Sequence, residues 1–131
     1  MRDGKLGRAL LLEILERKHV LVLSAQILDE LERVLFYPRL LKLSKLTIDE
    51  IREYIEFLAI NSVLTVVDEM AITPIRDPND NHVILTAIAG GAAYLCTLDG
   101  DFYDSAIIAF CEQNGIRIIT DRDLIAQIRS A

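Results

Sequence analysis

Five aspartates crowd into the stretch Arg76 to Asp104, RDPNDNHVILTAIAGGAAYLCTLDGDFYD. Asp77 and Asp80 open an apolar helix pattern over about Asn81 to Gly90, and Asp99, Asp101 and Asp104 follow a short strand pattern over about Ala93 to Thr97. A helix packed back on that strand would return its N-terminus to the strand's C-terminal end. Carboxylates converging there repel one another unless protons or cations intervene. One reading is a divalent-metal site, because hard cations take oxygen ligands and magnesium needs only one or two protein carboxylates beside water and phosphate. The other is that Asp80 caps a helix while Asp99 to Asp104 form a solvated turn. Spacing alone leaves both open.

The elements that must position these acids follow from the rest of the chain. At 131 residues and 52% hydrophobic, the chain has apolar material for one domain with a core. No apolar run approaches the roughly 18 to 20 residues that span a bilayer. The opening segment, MRDGKLGRALLLEILERKH, is interrupted by Glu13 and Glu16 and reads as an amphipathic helix, not a signal peptide. Cys96 and Cys111 sit among apolar neighbours without metal-ligand spacing and read as reduced core residues of a cytoplasmic protein. A net charge of −6 argues against bulk attraction to nucleic acid, though not against a local basic surface or a metal that reverses the sign inside a site.

Helix and strand patterns alternate. Leu6, Ala9, Leu10 and Ile14 give a helical period up to about Arg17, and HVLVL at 19–23 reads as a strand buried on both faces. Ser24 then caps a helix striped by Ile27, Leu28, Leu31, Val34 and Leu35, with Glu30 at the stripe's border. Phe36 to Lys45 carries Pro38, Arg39, Lys42 and Lys45, the most basic stretch of the chain. Thr47 to Glu50 is a capping-box pattern opening another amphipathic helix, which would form a projecting hairpin with the preceding one. A strand at Ser62 to Val67 and a loop at Asp68 to Asn79 lead into the aspartate-rich stretch. Asp104 caps a helix through Cys111, Ile116 to Ile119 forms the last strand, and Thr120 caps a closing helix. This alternation implies an α/β fold with a mostly parallel sheet and helices on both faces. Ligands of such sheets collect beyond the strands' carboxyl ends, where Ser24, Glu30, Asp80, Thr97, Asp99 and Asp101 all fall.

The order LVLSAQILDELERVL, YPRL, RDPNDNHVILTAIAGGAAYLCTLDGDF and GIRIIT resembles the PIN domain over about Gly4 to Ile128. The closest resemblance is to the branch assigned as toxin components of toxin–antitoxin systems. It implies a three-layer α/β/α domain and a magnesium- or manganese-dependent ribonuclease that cuts single-stranded RNA. Glu30, Asp80 and Asp99 match the family's metal-holding acids, and Asp101, the second acid of the T-x-D-x-D turn, matches an auxiliary catalytic position. Ser24 and Thr97 match hydroxyl positions that hydrogen-bond beside the site. Arg33, Arg39, Lys42, Lys45 and Arg76 are candidates for phosphate contacts, with Tyr37 available for base stacking. As partners, the resemblance implies an RNA substrate, an antitoxin protein crossing the groove, and self-association as a homodimer; no membrane is implied.

One departure stands against these matches. The family opens with a strand ending in an aspartate, typically D-T-N, and residues 1–131 read as a single PIN-like domain truncated at that end. Asp3 has no apolar strand before it and is not assigned the role. In the family that strand lies mid-sheet, so its loss is expected to leave two strands with unpaired inner edges. Upstream residues, another chain or a rearranged sheet would have to fill the gap. The departure motivates a second reading, a catalytically degenerate PIN-like module that binds RNA or a partner protein. A nucleotide-binding or receiver-like domain is weaker, because Gly90-Gly91 ends a helix and no G-x-G-x-x-G or Walker lysine occurs. His82, in a helix's first turn beside Asp80, reads as a surface or supporting residue before a catalytic one.

Overall fold

A computed structural model describes residues 2–130 of the chain. Helix α1 (Arg2–Glu16) leads to strand β1 (Val22–Ser24) and helix α2 (Ala25–Leu35). Extended Ser24 makes that switch: its Oγ accepts from the Ile27 N–H at 3.2 Å, satisfying a helix-end donor. Pro38 starts the short α3 (Pro38–Ser44), which ends where Lys45 turns left-handed at φ 57°. Thr47 and Glu50 then form the expected capping box, each side chain accepting at 3.1 Å from the other's backbone, to open α4 (Ile48–Ile60).

Strand β2 (Val63–Thr65) pairs in parallel with β1. A loop and a short 3₁₀ turn (Pro78–Asp80) follow, then α5 (Asn81–Ala89), which passes through Gly91 at φ +62° into β3 (Tyr94–Cys96). A second 3₁₀ turn (Gly100–Tyr103), α6 (Ser105–Gln113), β4 (Arg117–Ile119) and α7 (Asp121–Ser130) complete the order, with β4 parallel to β3. Each strand has three residues, shorter than the apolar runs in the sequence, because ladders extend only where a partner lies alongside.

The helices cover both faces. On one, Ile75, Ile84, Ala87, Leu95, Phe102, Ile107, Cys111 and Ile116 bury together between α5, α6 and β3. On the other, Ile119 of β4 packs with Leu10 of α1 and Leu124, Ile125 and Ile128 of α7. Fully burying an isoleucine such as Ile84 stabilises by about 2 to 3 kcal/mol, so these clusters set the layers. The fold is therefore the α/β arrangement expected. The strands form two separate pairs, β1 with β2 and β3 with β4. Cys111 is a core residue as expected, but Cys96 is exposed. It alternates with the buried Leu95 along β3, so its side chain stands on the strand's other, exposed face.

Helix α5 approaches β1 closely enough that a Cβ on Gly90 would overlap Val22 Cγ1. Gly90 has ordinary helical φ, so Gly90→Ala is a steric test only. It should destabilise by about 1 to 3 kcal/mol in urea unfolding, and Val22→Ala in the same chain should recover much of that loss. At the other side of the molecule, Glu13 of α1 receives the Arg129 guanidinium of α7 and lies near Arg17. The Arg129 hydrogen bond holds the Glu13 carboxyl below the usual range. A depressed carboxylate stabilises above its unfolded pKa and loses that contribution as pH falls through the folded one. Glu13→Gln should therefore lower the melting temperature at neutral pH, with the two proteins converging as pH falls below the ordinary glutamate range.

Candidate metal centre

Three acids meet where the sequence placed them. Asp80, Asp99 and Asp101 each offer a carboxylate oxygen, all within 4.8 Å of one another. Asp80 comes from the turn into α5, and Asp99 and Asp101 from the turn after β3, so the juxtaposition is the helix-on-strand return anticipated from the stretch. Each turn has its own lock. Asp77 Oδ1 accepts from the Asn79 N–H at 3.0 Å, Asp99 Oδ1 from the Asp101 N–H at 2.9 Å, and Asp104 Oδ2 from the Ala106 N–H at 3.1 Å.

Asp80 differs from these three. It stands at the N-cap of α5 and makes no side-chain cap hydrogen bond. The helix-cap reading of Asp80 therefore fails, while Asp99 does use one oxygen to hold its turn. Burial pushes the Asp80 carboxyl above the usual aspartate range, and the nearby Asp77, Asp99, Glu30 and Asp101 carboxylates push it further. A carboxylate freed from capping and destabilised by its like-charged neighbours suits a cation better than it suits a vacant turn.

Glu30, the remaining expected ligand, lies outside this trio. Its Oε2 is 2.7 Å from His82 Nε2. Its charge nonetheless reaches Asp80. His82 thus ties α2 to the first turn of α5, and its Nδ1 is buried with no hydrogen-bond partner. Local sequence marks His82 only as a surface or supporting residue, and the tertiary pairing of α2 with α5 reveals its place. Asn81 was also missed. Its Oδ1 accepts from the Thr73 N–H at 3.2 Å and the Thr73 hydroxyl at 2.6 Å, fastening the loop that leads to Asp77 and Asp80.

Thr97 is where it was expected, its hydroxyl accepting from the Asp99 N–H at 3.1 Å. Ser24 is buried and sits 2.7 Å from the Thr86 hydroxyl of α5. It acts on the site by fixing α2 against α5. Arg76 lies 3.2 Å from Asp101 Oδ2, so among the phosphate candidates it is the one paired with an acid of the trio. Beside it a cavity of about 400 Å³ is lined by Pro74, Gly100, Tyr103 and Ile107. Arg33, Tyr37, Arg39, Lys42 and Lys45 are all exposed along the end of α2 and on α3, away from the trio in sequence.

The donor set fits a hard divalent cation. All three groups offer oxygen, and ligand oxygens around such an ion stand up to about 4 to 5 Å apart across the metal. Asp80's raised pKa makes a stability statement as well: the carboxylate's cost is absent below the unfolded pKa and grows as pH rises through the folded one. Without added metal, Asp80→Asn should therefore raise the melting temperature at neutral pH and leave it unchanged at low pH. With Mg²⁺ or Mn²⁺ present, the parent should gain thermal stability and the variant should not.

No curated protein and no solved structure matches the chain. Among the described residues, no helix is long and apolar enough to cross a membrane. A family model described as PIN domain matches residues 2–101, spanning the helices that carry Glu30 and His82 and all three acids of the trio. PIN domains generally use divalent metals in nuclease chemistry, consistent with the carboxylates gathered at the strand ends. On this match over most of its length, the chain belongs to the PIN domain family.

Proposed function

We propose that the chain is a metal-dependent endoribonuclease acting on single-stranded RNA. The observation that carries this reading is the convergence of Asp80, Asp99 and Asp101, with Asp80 released from helix capping. Asp80, Asp99 and Asp101 would hold Mg²⁺ or Mn²⁺, with Glu30 at the rim. A cation bound there would supply Lewis-acid stabilisation of charge on the scissile phosphate and lower the pKa of an attacking water.

The chain's own groups account for the rest. Asp99 and Asp101 are oriented by the turn that Thr97 and the Asp99 carboxylate fix. His82 keeps Glu30 turned towards α5, so that its charge adds to the field at Asp80. Arg76 neutralises part of Asp101 and stands ready to exchange that contact for a phosphate. Arg33, Arg39, Lys42 and Lys45 offer exposed cations, and Tyr37 an exposed ring, for a backbone and an unstacked base. A toxin role, with an antitoxin protein as inhibitor, a homodimeric state and a cytoplasmic setting are the physiological context that the sequence resemblance supports.

A second reading, a non-catalytic PIN-like module for RNA or a protein partner, draws on a specific observation. Glu30 is engaged by His82 and Asp101 by Arg76, which leaves fewer free carboxylate oxygens than the four acids together imply. Cleavage separates the two readings. An unstructured RNA incubated with the protein and Mn²⁺ should be cut, and a chelator should stop it. Asp99→Asn keeps an oxygen to accept from the Asp101 N–H, so the turn should persist while cleavage falls by about 100-fold or more. Unchanged cleavage in a folded Asp99→Asn protein would sink the nuclease assignment at this site, and absence of cleavage in the parent would favour the binding module.

A further inference from the structure

A cavity of about 400 Å³ opens beside the acid trio, between the loop that precedes α5 and the turn that follows β3. Asp101 belongs to both: its carboxylate is one of the three that converge, and it also stands in the cavity wall. A molecule filling the cavity therefore touches an acid of the trio. The volume lies in the range of roughly 300 to 1,000 Å³ that small-molecule pockets occupy.

The walls divide by chemistry. Pro74, Tyr103 and Ile107 supply apolar surface. The Tyr103 hydroxyl is already engaged, donating to Thr97 O at 2.8 Å, so the ring is what this residue offers. Arg76 supplies a cation at the rim, 84% exposed and 3.2 Å from Asp101 Oδ2. Asp104 supplies a second carboxylate: its Oδ2 accepts from the Ala106 N–H at 3.1 Å, and among the described residues its Oδ1 accepts from none. Gly100 completes the wall, although nothing in the fold demands a glycine there. Its φ lies outside the left-handed region, and a Cβ would meet nothing within 4 Å. What its lack of a side chain does is leave the space beside Asp101 open.

We infer that this cavity is a base subsite, taking one unstacked guanine of an RNA strand whose phosphate lies at the acid trio. The inference rests on the reading of the trio as an RNA site. An unstacked base is packed on aromatic or apolar surface and read along its Watson–Crick edge, which matches the division of the walls. Carboxylates only accept hydrogen bonds, so a base read by Asp104 must present donors. Guanine is the one RNA base with two adjacent donors on that edge, N1–H and the N2 amino group. Oδ1 of Asp104 takes one of them, and the lone pair of Oδ2 left over from the helix cap takes the other. Arg76, at the rim, meets the phosphate that joins this nucleotide to the trio.

The test titrates guanosine, inosine and adenosine 5′-monophosphates into the whole chain without metal, with the backbone amides followed by NMR. All three carry the same ribose and phosphate, so differences report the base, and inosine differs from guanosine only by the N2 amino group. The inference expects saturable shifts at Gly100, Tyr103 and Ile107, with guanosine monophosphate binding about tenfold more tightly than the other two. Asp104→Asn keeps an oxygen for the Ala106 N–H, so α6 stays capped, and should erase that preference. Gly100→Leu sets a side chain in open space and should block all three nucleotides while the melting temperature holds. No shifts, shifts confined to other residues, equal affinities, or a guanine preference that survives Asp104→Asn would each overturn the inference. Neither metal nor cleavage enters these readouts, so the subsite and the nuclease stand or fall separately. Mn²⁺-dependent cleavage with no base preference would strike the subsite alone, and a guanine preference without cleavage would place the subsite in a non-catalytic module.

Discussion

The packing of α5 against two strand pairs is the constraint on which the rest of the structure depends. The pairs share no backbone hydrogen bond, so the helix does what a continuous sheet would do. It grips the β1 side through the buried Thr86–Ser24 contact and the close approach of Gly90 to Val22, and the β3 side through Ile84, Ala87 and Leu95. The two grips differ in kind. The first is a polar contact with a glycine-permitted approach, sensitive to small changes of shape. The second is apolar burial within the larger cluster, which is more tolerant. The β2 side is thinly covered: Val63, Leu64 and Val66 are all exposed, Val66 at 94%.

The acid site inherits this division. Asp99 and Asp101 ride on β3 and Asp80 on α5, all anchored to the apolar cluster, which is why these three meet closely. Glu30 rides on α2 and therefore moves with β1. Its link to the other acids runs through His82 and, one turn further along α5, through Thr86 and Ser24. Repulsion between Glu30 and Asp80 opposes the approach of the two sides, and the His82 contact offsets it.

Much of this was legible in the sequence because local chemistry decides local structure. Ser24, Thr47, Asp104 and Thr120 sit at the helix starts where their side chains were read, and Gly91 supplies the turn that ends α5. The resemblance, with one motif absent, led to an expectation of unpaired inner strand edges, and the strands do form two separate pairs. What the sequence hid were facts of tertiary placement. Asp80 precedes a helix as a capping residue would, and nothing local shows that its carboxylate makes no cap bond. Cys96 looks like core in an apolar run, yet burial depends on what packs over its face of β3, which the run does not encode. The pairing of His82 with Glu30 joins residues far apart in the chain and follows from α2 lying beside α5.

The boundary between the strand pairs and the acid site are parts of one mechanical problem. β1 and β3 both end at the site, the first leading into the helix of Glu30 and the second into the turn of Asp99 and Asp101. Among the described residues no ladder joins the two pairs, so α5 fixes the distance between those ends through side-chain contacts. Metal ligation needs its ligands held to within about half an ångström, so those side-chain contacts decide how well the site is ordered. The placement of Glu30 relative to Asp80 is thus set by the side-chain contacts of α5 with β1 and α2, and the boundary between the two strand pairs runs beside the place where the chemistry demands the most order.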